Sequence, residues 1–126
     1  MLTVACVFAG LAALVHVYIF WLEALAFDTA GRKAFQLSAD DAAVMKPWAF
    51  NQGFYNLFLA IGTAVGIAVM GSNRDAGVAL VVLGTGSMLS AAVVLISSSR
   101  EQLRGALAQG TFPALALLSL AIWAWT

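Results

Sequence analysis

LTVACVFAGLAALVHVYIFWLEALAF, residues 2–27, is apolar apart from Thr3, His16 and Glu23. A segment of about 20 mostly apolar residues, rising 1.5 Å per residue, crosses roughly 30 Å of hydrocarbon, so this run is long enough to span a bilayer as a helix. Ala24-Leu25-Ala26 resembles a signal-cleavage site. No Lys or Arg precedes the run, however, and its apolar stretch exceeds the 7–15 residues of a signal core, so the expectation is a retained helix.

Three further runs follow, giving expected spans of about 2–27, 47–70, 76–96 and 105–125. The segments between them hold eleven of the twelve charged side chains; Glu23 alone lies inside a span. The whole composition agrees: 126 residues, 63% hydrophobic, 10% charged, with a mean hydropathy of +0.95. Soluble domains average near 45–50% apolar and about 25% charged, so an ordinary soluble fold is excluded. The expected fold is all-α: an integral membrane four-helix bundle of up-down topology in one domain, since short loops join antiparallel neighbours.

Six Lys/Arg balance six Asp/Glu, which leaves no basic face for nucleic acid. One Cys and one His supply neither an intrachain disulfide nor a structural zinc set, and no cofactor signature is present. Loops 28–46 and 97–104 carry Arg32, Lys33, Lys46, Arg100 and Arg104, against Arg74 alone on the other side. The positive-inside rule therefore puts those loops in the cytoplasm and both termini outside, in a plasma (inner) membrane. Trp21 and Trp48 then fall toward the inner interface and Trp123 and Trp125 toward the outer one. Within loop 28–46, Ser38 followed by Asp41 has capping-box spacing and predicts a short surface helix over 39–46, with Pro47 in the first turn of the next span.

Polar groups inside spans are costly and usually face partners, cavities or pathways. His16 and Glu23 are two helical turns apart on one face, about 10 Å along the axis, too far to bond each other. The second span opens with Asn51-Gln52-Gly53-Phe54-Tyr55-Asn56, whose four polar side chains fall within a wedge of about 140° at 100° per residue. Antiparallel packing sets Glu23 near the depth of Gln52, and Asn56 between Glu23 and His16. Gln109 and Thr111 enter from the same side on the last helix. The expected site is thus a pocket in the cytoplasmic half, binding a small or lipophilic ligand through His16, Glu23, Asn51, Gln52, Tyr55, Asn56 and Gln109. If the protein is catalytic, His16 or Glu23 is the acid/base candidate.

Two rival readings use the same residues. One makes the polar column a path for protons or a small solute. The other makes it interhelical bonding in an accessory subunit, where such contacts average roughly 0.6 kcal/mol each. Gly62-Thr-Ala-Val-Gly66 is a GxxxG that marks packing inside the bundle or a homo-oligomer contact. Gly84-Thr85-Gly86-Ser87 has no following Lys and lies in an apolar run, so it is no phosphate loop. Ser87 and Ser90 have no acid or His on their own helix. Asp40-Asp41 reads as capping, and Pro113 as the start or a kink of the last helix.

His16, Glu23, the Asn51-Gln52-Gly53-Phe54-Tyr55-Asn56 segment and Gln109-Gly110-Thr111-Phe112-Pro113-Ala114 together resemble the pattern of the DUF1304 family of small bacterial four-helix membrane proteins. The last motif carries one residue more before its Pro than the family's Gln-Gly-x-Pro-Ala. The resemblance covers nearly the whole chain and implies a four-helix membrane fold without implying an activity.

Overall fold

The computed structural model describes residues 1–126, with four long helices and no strand. Helix α1 (Leu2–Phe20) continues into a wider π-helical turn (Trp21–Leu25); a second π turn (Phe27–Gly31) leads into the short α2 (Arg32–Ala34). Helices α3 (Ala39–Val69), α4 (Arg74–Ser98) and α5 (Leu103–Ala124) follow, the last preceded by a 3-10 turn at Arg100–Gln102. α1 packs on α3, α3 on α4, α4 on α5, and α5 back on α1, while the diagonal α1–α4 pair barely touches. This square arrangement is the expected up-down bundle.

The side chains are distributed inside out. α1 buries Ala5, Ala9, Ala12, Ala13 and His16, and α4 buries Gly77, Gly84, Thr85 and Ala92 beside Val81 and Met88. Leu14, Leu25, Phe58, Leu83, Val94 and Leu118 are each more than half exposed. In water this pattern would be untenable. In lipid the tails are as apolar as leucine, so association comes from close backbone approach over small residues, and the large apolar chains face outward. Four helices are long and apolar enough to cross a membrane, and together with this surface they make the chain a multi-pass membrane protein. Buried hydroxyls are satisfied within their own helices: Thr63, Thr85 and Ser119 donate to the carbonyls of Leu59, Val81 and Leu115 at 2.8, 2.6 and 2.8 Å.

One half of the bundle is closed by apolar contact among Ala5, Ala9, Met70, Val81, Ala116 and Leu120. The other half carries the polar side chains and is capped by the chain between α1 and α3. There Gln36, at φ 55°, reverses the backbone, and Lys46 pairs with Asp28 across the loop. Ser38 caps α3, its Oγ accepting from the Asp41 amide at 3.1 Å while donating to Asp41 Oδ2 at 2.6 Å. The capping expectation thus holds, but the short surface helix does not end before the span: α3 runs unbroken from Ala39 to Val69, with Pro47 inside it. Pro47 removes only its own bond to the Ala43 carbonyl, and this part of the helix is exposed. Ser38→Ala should cost about 1 kcal/mol locally, read as amide exchange of residues 40–43 accelerating about fivefold.

Of Gly62 and Gly66, only Gly66 packs inside the bundle. A Cβ on Gly66 would meet Leu80 Cβ and the Val81 amide at 2.9 Å, whereas one on Gly62 would meet nothing within 4 Å. Gly66 is used inside the bundle, against α4. Its partner there is Gly77, where a Cβ would fall 2.6 Å from Met70 Cα and 2.8 Å from the Gly66 carbonyl.

Candidate functional site

The polar half is built where α1 stops being an ordinary helix. Across Trp21–Leu25 the hydrogen bonds lengthen to the π pattern, with the Ala26 amide reaching the Trp21 carbonyl at 2.8 Å. Such widened turns fit one extra residue into the helix and recur at functional sites. At Ala26 the backbone leaves the helical region (φ −122°, ψ 26°), and the next π turn folds back until Gly31 lies against the Leu22 carbonyl, where no Cβ would fit. This fold-back carries Ala34, Phe35 and Leu37 over the end of the bundle.

Glu23 sits within the first π turn and is half-buried. Gly53 brings α3 against it: a Cβ at this position would lie 3.0 Å from Ala24 Cβ and 3.1 Å from Glu23 Cβ. One turn further along α3, Asn56 is buried, and its Nδ2 donates to Glu23 Oε2 at 2.8 Å. The glycine and the final asparagine of Asn-Gln-Gly-x-Tyr-Asn thus act together, one allowing the approach and the other making the bond. Oε1 of Glu23 makes no hydrogen bond within the chain.

His16 is almost fully enclosed, at 1% exposure. Its Nδ1 lies 2.9 Å from the Ala12 carbonyl. A carbonyl only accepts, so Nδ1 carries the proton of this bond. Asn56 bonds the Glu23 carboxyl and not His16. The remaining expected site residues are not all gathered. Gln109 is half-buried at the cavity described next, while Asn51, Gln52 and Tyr55 are exposed on the outside of the bundle. The reason is the inward stripe of α3, Gly53-Asn56-Ala60-Thr63, which leaves positions 51, 52 and 55 on its flank.

Two cavities meet at Glu23. The inner one, about 450 Å³ and open to the outside of the bundle, lies between α1, the 34–37 cover, the end of α4 and the start of α5, with Leu22 its one buried wall residue. Its walls are mostly apolar, with Val15, Ile19, Leu22, Phe35 and Leu95 among them, and its polar groups come from Glu23, Tyr18, Gln102 and Gln109. Gly110 supports the last of these, packing on Ala92 closely enough that a Cβ would stand 2.9 Å from Ala92 Cβ. The second cavity is a crevice toward the surface, walled by Glu23, Phe27, Asp28, Ala43, Lys46 and Pro47. His16 is not a wall of either. No three His, Cys, Asp or Glu side chains come together in a way that could hold a metal ion.

Tyr18, Gln102 and the Phe35–Leu37 cover do not emerge from sequence reasoning about polar groups in spans. One signal does point to them: Val15, Tyr18, Ile19 and Leu22 follow the i, i+3, i+4, i+7 pattern of a second α1 stripe, separate from the Ala5–His16 stripe. No pattern in the sequence announces the π turns.

No curated protein and no solved structure shows significant similarity to this chain. A family model described as "Protein of unknown function (DUF1304)" matches residues 10–121, a stretch that contains His16, Glu23, Gly53, Asn56 and Gln109. With the match extending across nearly the whole bundle and over every residue that builds its polar half, the chain belongs to the DUF1304 family.

Proposed function

We propose that the protein binds a lipophilic small molecule in its inner cavity. The observation that carries this reading is a space of about 450 Å³ with apolar walls and a few polar groups at one side, the usual construction of a ligand site. Glu23 is held by Asn56 with one oxygen left free, and Gln109 stands on a helix braced at Gly110, so the polar groups are positioned before a ligand arrives. The Lys/Arg excess on the loops at this end favours a cytoplasmic placement of the cavity in a plasma membrane, with both termini outside.

The test is native mass spectrometry of gently extracted protein, wild type against Gly105→Phe. Gly105 is a wall of the cavity, and a Cβ there would meet only Gln102 Oε1 and Leu95 Cδ2, both at 3.8 Å. The backbone therefore tolerates a side chain while the phenyl ring fills the space. A defined adduct on the wild type that disappears from a folded Gly105→Phe variant is the expected result. An adduct of equal mass and occupancy on both would remove this cavity as its site.

A further inference from the structure

We infer that the cavity selects a single-chain amphiphile ending in a protonated primary amine. The inference rests on the ligand-binding reading above and adds the chemistry of the polar end.

Glu23 is the one charged side chain on the walls of the inner cavity. Oε1 of Glu23 is free, because Asn56 binds only Oε2. The chain has two prolines, and both stand inside helices, four residues after a residue that walls one of the two cavities. Pro47 leaves the Ala43 carbonyl without its i+4 donor, at the crevice; Pro113 does the same to the Gln109 carbonyl, at the inner cavity. The side-chain amides of Gln102 and Gln109 each offer an acceptor oxygen and an NH2 donor, and Tyr18 a hydroxyl, so they can orient a head group of either sense.

No cation walls the inner cavity, and Lys46 alone walls the crevice. Lys46 is paired with Asp28 in the crevice. Arg32 donates its Nε to the Leu37 carbonyl at 3.1 Å and, like Arg100 and Arg104, does not wall the inner cavity. A carboxylate or phosphate end group would therefore meet Glu23 with nothing to neutralise either charge, whereas an ammonium would meet the carboxylate and bring three donors to the surrounding oxygens. The apolar walls from Val15, Ile19, Leu22, Phe35 and Leu95 take the chain. The crevice, which carries Asp28 and Glu23 against one lysine, gives a cationic head a route from the membrane surface to Glu23.

The experiment uses the full chain in phosphatidylcholine nanodiscs, titrated with decylamine, decan-1-ol or decanoic acid and read by native mass spectrometry for bound probe. Decylamine should bind one per chain, and decan-1-ol about tenfold more weakly, the difference between a charge-assisted and a neutral hydrogen bond. Decanoic acid should not be retained. Glu23→Gln, whose amide oxygen still accepts from Asn56, should bring decylamine down to the level of decan-1-ol. Decanoic acid binding as well as decylamine, or decylamine unaffected by Glu23→Gln, would overturn the amine inference. If those probes were still displaced by Gly105→Phe, the ligand cavity itself would stand. Retention of none of the three probes would overturn both readings.

Discussion

Gly77→Ala is expected to destabilise the bundle by about 2 kcal/mol, whereas Gly86→Ala on the same helix should stabilise it by about 0.5 kcal/mol. The two glycines differ chiefly in what surrounds them. A methyl at Gly77 would fall 2.6 Å from Met70 Cα and 2.8 Å from the Gly66 carbonyl, both backbone atoms that cannot rotate away. α4 must then move off α3, and Val81, which joins Met70 in the apolar closure of the bundle, moves with it. At Gly86 nothing lies within 4 Å, so only the gain in helix propensity remains. Unfolding each variant by detergent titration, followed by circular dichroism, reads the two shifts in one assay. Equal midpoints for the two variants would show that α3 and α4 are not in contact at Gly66 and Gly77.

The same contrast shows how far the sequence could be read. Four spans, the antiparallel order and the concentration of polar groups in one half are all legible, because they depend on run length, loop length and depth, which spacing alone sets. The Ser38–Asp41 cap is legible for the same reason. Rotation about a helix axis is harder to read. Asn51, Gln52, Tyr55 and Asn56 occupy one wedge, yet only Asn56 turns inward, because the close approach is made at Gly53 and the stripe follows from there. Polar character does not reveal which edge of a polar wedge faces the core; the small residue that lets a neighbouring backbone approach does. Gly62 and Gly66 carry the same lesson, since the contact surface of α3 is decided by Gly77 across from it and not by the GxxxG spacing. The π turns stay out of reach because the residue types of Trp21–Leu25 suit an ordinary helix as well as a widened one. Their effect appears only in three dimensions, where Ala26 and Gly31 fold the chain back over the cavity.

The bond between Asn56 and Glu23 should couple the two side chains by about 1–2 kcal/mol in a double-mutant cycle. Asn56→Leu leaves a half-buried carboxyl without its donor, and Glu23→Leu leaves a buried amide without its acceptor; each orphaned group costs about 1–3 kcal/mol. Glu23→Leu/Asn56→Leu removes both and replaces them with apolar contact, so the double variant should lose much less than the sum of the singles. Interhelical bonds in membranes average only roughly 0.6 kcal/mol, but that average includes groups that find other partners in the unfolded state. Glu23 is the only carboxyl within the expected spans 2–27, 47–70, 76–96 and 105–125, and a hydrocarbon surround offers the unfolded chain few alternative donors. Additive losses would mean that Glu23 reaches the headgroup layer and does not bond Asn56 in the folded bundle. Glu23→Gln then separates structure from binding. Its amide oxygen accepts the same Asn56 hydrogen bond, so its unfolding midpoint should match wild type, while the negative charge that an ammonium head requires is gone. A variant of wild-type stability that no longer discriminates decylamine from decan-1-ol would locate the recognition of charge at this one carboxyl and leave Asn56 the task of holding it in place.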